Sequence, residues 1–144
     1  MIAPTPRIVF VCLHGAAKSV VAAALFAQQA AREGVAVEAI ARGIDPDPEV
    51  SATAAHGLLA EGLDVRGDRP RTLAAEDLIG VSRVVALGCD ISQVIPAGVP
   101  VEQWAEVPAV SDGYAQARAA VVSRFPALLE ACRRAGDGSG RRPS

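Results

Sequence analysis

Residues 8–11, Ile-Val-Phe-Val, form an unbroken apolar run rich in β-branched side chains, and after a short loop an Ala-rich stretch over residues 19–33 runs up to Gly34. Consecutive apolar positions suit a strand buried on both faces, while an Ala-rich stretch stopped by glycine suits a helix. Strand, loop and helix in that order belong to a parallel sheet with helices packed against it.

The pattern recurs along the chain. Residues 35–41 read as a second strand. Asp47 and Pro48 then offer an N-cap and a first-turn proline for a helix running to Glu61, with Gly62 as its stop. Residues 64–71 are charged and contain Gly67 and Pro70, as a surface connection does, and a short helix is expected over 73–79. Residues 84–87 read as a third strand, 101–104 as a weaker fourth, and 113–134 as a final helix kinked or broken at Pro126. The expected architecture is α/β: a three-layer doubly wound sandwich around a four-stranded parallel sheet. At 144 residues the chain suffices for one domain, placed over residues 1–135, with a disordered tail over 136–144. Hydrophobic residues make up 51% and aromatics only 3%, so Ala, Val, Leu and Ile are expected to build the core.

Charge and cysteine usage narrow the function. A net charge of −2 without a run of Lys or Arg gives no footprint for nucleic acid. The N-terminal residues lack the regions of a signal peptide, and no apolar stretch has transmembrane length, so a cytoplasmic protein without membrane contact is expected. Three widely separated cysteines, Cys12, Cys89 and Cys132, suit reduced thiols rather than a disulfide framework.

In parallel sheets, ligands bind beyond the carboxyl ends of the strands, where Cys12 and Cys89 both fall. The segment Cys12-Leu13-His14-Gly15-Ala16-Ala17-Lys18-Ser19 leads into the first helix. Loop amides converging at a helix N-terminus favour both a phosphate-like anion and a thiolate. Lys18 adds a cation and Ser19 a hydroxyl donor, although Ser19 also suits a helix N-cap. A cysteine ending an apolar strand is otherwise a packing residue, and Cys132 on the last helix reads that way. His14 either touches the thiol or anion or bonds within the loop, whereas His56 reads as a plain helix residue. The spacing to Lys18-Ser19 mimics a nucleotide-binding loop, but Cys12 and Ala17 occupy the positions that need glycine. Cys12, His14 and Cys89 are too few to hold a metal, so neither metal nor cofactor is expected.

These residues resemble the low-molecular-weight protein tyrosine phosphatase superfamily, including its arsenate reductase branch. The likeness is carried by Val9-Phe10-Val11-Cys12 with His14 and Lys18-Ser19, by Arg42-Gly43 after the second strand, by residues 59–64, and by residues 84–89. It implies Cys12 as nucleophile, an anion cradle formed by Leu13, His14, Gly15, Ala16, Ala17 and Lys18, and Ser19 as support for the thiolate. Lys18 stands where the family has Arg, replacing a planar fork by a point charge, a change on the order of 2–4 kcal/mol in transition-state stabilisation. Gly15 stands where Asn commonly braces the loop. Ala109-Val110 stands where an Asp-Pro pair supplies the general acid, leaving Asp112 as the nearest substitute and Glu106 as a further candidate. Asp112 before Gly113 also suits an N-cap. The family's aromatic rim has counterparts only in Tyr114 and Trp104.

The resemblance implies a phosphomonoester hydrolase. One alternative is an arsenate reductase using Cys12 with Cys89 or an external thiol; residues 90–96 supply no second resolving cysteine. The other is a catalytically impaired oxyanion-binding or interaction module. The partners implied are a phosphate-like or arsenate oxyanion, and with it a phosphorylated protein or a small-thiol reductant.

Overall fold

The computed structural model describes residues 5–138. Strands β1 (Arg7–Cys12), β2 (Glu38–Gly43), β3 (Arg83–Ala86) and β4 (Val101–Gln103) form one sheet in the order β2-β1-β3-β4, every neighbouring pair parallel. The helices are α1 (Lys18–Arg32), α2 (Ala52–Ala60), α3 (Tyr114–Ser123) and α4 (Phe125–Gly138), with short 3-10 turns at Ala75–Leu78 and Val110–Asp112. The α/β architecture with a four-stranded parallel sheet is therefore as the sequence indicates.

Alternation along β1 assigns its side chains to two separate cores. Ile8, Phe10 and Cys12 face a large core closed by α1, α2, α3 and α4, whereas Val9 and Val11 join Val84, Ala86 and Ile91 on the other face. That second face is covered by apolar residues of the connections, including Leu73, Leu78 and Ile95. β1 is central, paired on both edges, and all its residues from Ile8 to Cys12 are buried.

The rings are few but not peripheral. Phe10, Phe26, Phe125 and Trp104 meet within the larger core, Phe10 edge to face with Phe26 and Trp104, Phe26 edge to face with Phe125, and Trp104 tilted against Phe125, with centroids 5.2 Å apart for Phe26 and Phe125 and 5.7 Å for Phe10 and Phe26. The expectation of an aliphatic core thus needs amending: small side chains surround a compact aromatic centre, where each ring contributes the largest apolar area.

Several boundaries differ from the sequence reading, each for a local reason. The second helix begins at Ala52, capped by Ser51 Oγ, which accepts from the Ala54 amide at 3.3 Å; Asp47 and Pro48 lie in the preceding loop. The expected helix over 73–79 is only the 3-10 turn Ala75–Leu78. The final helix is two helices. α3 closes with the Arg124 amide bonding to Val121 O at 3.0 Å, and Pro126, which has no N–H to continue that ladder, sits in the first turn of α4. α4 runs to Gly138, and the rest of the expected tail, residues 139–144, lies outside the described residues.

Candidate active site

Cys12 is the last residue of β1, 6% exposed, and Gly43 is its partner at the end of β2. Beyond it the chain turns through residues 13–17 into α1. Four amides from the segment after β2 bond to this turn: Ile44 N to Leu13 O at 2.9 Å, Asp45 N to Leu13 O at 2.7 Å, Asp47 N to His14 O at 3.0 Å and Ser51 N to Ala16 O at 2.8 Å. The carbonyls of the turn are thereby drawn outward to residues 44–51. The amides of residues 13–17, in contrast, donate to no backbone or side-chain acceptor among the described residues. Buried amides are nearly always paired, so a row of free ones at a helix N-terminus is suited to an anion.

Gly15 holds this shape. Its φ is +60°, and a Cβ built on it would lie 2.8 Å from the Gly43 amide nitrogen; a Cβ on Gly43 would lie 2.7 Å from the Gly15 nitrogen. The two backbones touch at a distance that only glycine allows on either side. Gly15 therefore does not loosen the loop by lacking a bracing side chain: direct backbone contact with β2 supplies the brace.

Ser19 is fully buried, with its Oγ 3.1 Å from Cys12 Sγ. It lies inside α1, whose N-cap is Ala17 without a side-chain cap, so the capping role is replaced by contact with sulfur. With Cys12 ionised, the hydroxyl donates to the thiolate. Lys18 is half-buried at the first position of α1, and its Nζ lies 3.3 Å from where a Cβ on Gly88 would stand. Gly88 has φ +81°, and a side chain there would crowd the ammonium. None of the ion pairs among the described residues involves Lys18.

These groups face a cavity of about 440 Å³ that is lined by Cys12, the loop residues Leu13, His14, Ala16, Ala17 and Lys18, and a wall from Leu87, Gly88 and residues 109–111. Leu13 stands at its mouth, 50% exposed. His14 is exposed, with Nδ1 3.0 Å from Asp45 O and 3.5 Å from Asp47 Oδ1. A carbonyl only accepts, so Nδ1 carries a proton. Its observed partners are therefore Asp45 and Asp47, not the thiol.

The acid candidates fare differently. Ala109, Val110 and Ser111 form the wall where the acid was sought, and none of them titrates in the ordinary range. Asp112 is exposed, does not line the cavity, and does not cap α3, whose N-cap is Gly113 without a side-chain cap. Glu106 is held by Arg124 through bonds of 2.7 and 2.8 Å, which keep its carboxyl below its ordinary range. Trp104 is wholly buried, and Tyr114 packs over Gly57 and bonds to Glu61, so neither forms a rim. Two residues that the sequence reading did not place in the site, Asp47 and Ser51, line the cavity. The signal was Pro46-Asp47-Pro48: prolines on both sides hold an aspartate extended and out of a helix.

Cys89 does not line the cavity; it packs against the core on the opposite face of the sheet, its thiol 3.6 Å from Val11 O. Burial pushes this thiol up, and the neighbouring Cys12 adds to the shift. Cys132 is buried in the larger core, and burial raises its thiol as well. His56 is an exposed residue of α2.

Residues 7–121 match the family model described as low molecular weight phosphotyrosine protein phosphatase. The chain belongs to this family. Solved structures of similar fold include a thioredoxin-dependent arsenate reductase from Corynebacterium glutamicum, with 22% identity, a TM-score of 0.75, and coverage of 90% of this chain and 63% of that one. A low-molecular-weight protein tyrosine phosphatase from Bacillus subtilis has 21% identity and a TM-score of 0.71, with 89% of this chain and 97% of that one covered. An arsenate reductase from Archaeoglobus fulgidus has 27% identity and a TM-score of 0.62, with 85% of this chain and 98% of that one covered. The chain thus spans less than two thirds of the Corynebacterium structure. No curated protein matches the chain in sequence. No helix among the described residues is long and apolar enough to cross a membrane.

Proposed function

We propose that the protein is a phosphomonoester hydrolase in which Cys12 is the nucleophile. The observation that carries this reading is the row of amides at residues 13–17 that, like Lys18, find no partner among the described residues, set beside Cys12 and opening on a cavity of about 440 Å³. The donors suit the three equatorial oxygens of a phosphoryl group. The volume beyond them, walled by Leu87, Ala109 and Val110, suits an organic leaving group rather than a bare oxyanion.

Cys12 attacks phosphorus as a thiolate, the sulfur–phosphorus bond forms as the ester phosphorus–oxygen bond breaks, and the leaving oxygen takes a proton. Water then attacks the thiophosphate, releases inorganic phosphate and returns the electron pair to sulfur. Ser19 supports the thiolate in both steps. Lys18 offers a point charge where two parallel bonds from a guanidinium would fit better, which favours activated esters over demanding ones.

A second reading, arsenate reduction, is supported by the fold shared with the arsenate reductases of Corynebacterium glutamicum and Archaeoglobus fulgidus and by a second thiol, Cys89, just beyond β3. Against it, Cys89 lies on the other face of the sheet and outside the cavity. The test is turnover of an aryl phosphate, and of arsenate with added thiols, by wild type, Cys12→Ser and Lys18→Arg. Wild type is expected to release phosphate, Cys12→Ser to release none, and Lys18→Arg to gain roughly 30-fold to 1000-fold in kcat/KM. Phosphate release by Cys12→Ser would sink the nucleophile, and arsenate-dependent thiol oxidation without ester hydrolysis would favour the reductase. Phosphate binding without turnover of either compound would favour a non-catalytic module.

A further inference from the structure

Resting on the hydrolase reading, we propose that Asp47 is the general acid that protonates the leaving oxygen. Among the residues lining the cavity it supplies the carboxyl group; the wall formed by residues 109–111 supplies none. Asp112 is outside the lining and Glu106 is tied to Arg124.

Asp47 is held relative to the nucleophile by short links. Its amide donates to His14 O at 3.0 Å, and residues 45 and 51 are bonded to the same loop at 2.7 and 2.8 Å. Pro46 has a fixed φ and Pro48 confines Asp47 to extended conformations, so the backbone carrying this carboxyl has few alternatives. His14, itself a lining residue, lies with Nδ1 3.5 Å from the carboxylate oxygen and restrains the side chain. At 50% exposure the Asp47 side chain also meets the solvent that supplies the attacking water.

Asp47 acts in both half-reactions. As the ester bond breaks, the bonding pair goes to the leaving oxygen, which takes the carboxyl proton and departs as the alcohol or phenol. The resulting carboxylate then accepts a proton from the water that attacks the thiophosphate. That step restores the acid and frees phosphate, with no change in oxidation state.

The experiment compares kcat/KM of the full chain and its variants on phenyl phosphate, whose leaving oxygen needs a proton, and on 2,4-dinitrophenyl phosphate, whose leaving oxygen does not. Asp47→Asn is expected to lose about 100-fold to 10,000-fold on phenyl phosphate and less than about threefold on the dinitrophenyl ester, and Asp47→Glu to recover part of the loss. Retained activity on the activated ester shows that the variant folds. Equal losses on both esters, no loss on either, or a leaving-group-dependent loss in Asp112→Asn or His14→Gln instead would overturn the assignment. Failure of the hydrolase reading is separately visible: wild type inactive on the dinitrophenyl ester, or Cys12→Ser active on it, overturns that reading and the role of Asp47 together.

Discussion

At the scale of single residues, the site depends on what is missing from two side chains. Gly15 and Gly43 meet backbone to backbone, with Gly15 also at φ +60°. An alanine at position 15 incurs both left-handed strain and a clash with main-chain atoms that cannot rotate away. Gly34 is a natural control, since its φ is +70° but nothing lies within 4 Å of a Cβ there. In urea denaturation, Gly34→Ala should lose about 1 kcal/mol from strain alone, and Gly15→Ala about 2–4 kcal/mol. Equal losses would remove the close approach from the account. The sequence pointed to Cys12, Lys18 and Ser19 because they sit in one contiguous segment beside a strand end. It read Gly15 through the side chain it lacks and Asp47 as a helix cap, because the contacts these two residues make belong to β2 and the segment after it, a pairing that local spacing does not encode.

At the scale of elements, Arg42 links the end of β2 to the 3-10 turn that precedes β3. Its Nε and Nη2 bond to Asp77 Oδ2 and Oδ1 at 3.0 and 3.2 Å, and Asp77 Oδ2 also accepts from the Ala74 amide at 2.8 Å. The Asp77 side chain is 8% exposed and that of Arg42 20%. Removing one partner leaves the other's charge desolvated and without its counter-ion, so Asp77→Ala should cost about 3–5 kcal/mol in urea, while replacing both by apolar residues of similar size should cost far less. A loss below about 1 kcal/mol for Asp77→Ala would show that the pair is screened like a surface one. The existence and order of the major elements were legible because strand and helix periods differ. Their ends were not. Asp47-Pro48 has good helix-start chemistry, yet the amides of Asp47 and Ser51 are taken by carbonyls of the loop after β1, and tertiary pairing outweighs the local capping preference.

At the scale of the molecule, the helices on the larger core must stay registered on a sheet whose central strand carries Cys12. One connection between α2 and α3 is polar: Glu61, just past the end of α2, accepts two bonds from Arg118 Nε at 2.9 and 3.0 Å and a third from Tyr114 OH. The Arg118 hydrogen bond is the largest cause holding the Glu61 carboxyl below its ordinary value of 4.5, and burial beside Glu61 pushes the Tyr114 hydroxyl up. Because the folded value lies below the unfolded one, folding favours the ionised carboxylate. Its contribution is complete above the ordinary value of 4.5 and is lost as pH falls below that value and through the lowered folded one. The side chains are 24% and 41% exposed, so solvent screening limits the contribution to the order of 1 kcal/mol. Glu61→Gln cannot ionise and isolates this group from the other carboxylates that hydrogen bonds also hold down, such as Glu33, held by Gln29 and Arg133, and Glu106, held by Arg124. Urea midpoints of wild type and Glu61→Gln measured from pH 7 to pH 3 should therefore differ at neutral pH and converge in acid. A gap of constant size across that range would mean that Glu61 joins the two helices by packing and hydrogen bonding alone, with its charge contributing nothing.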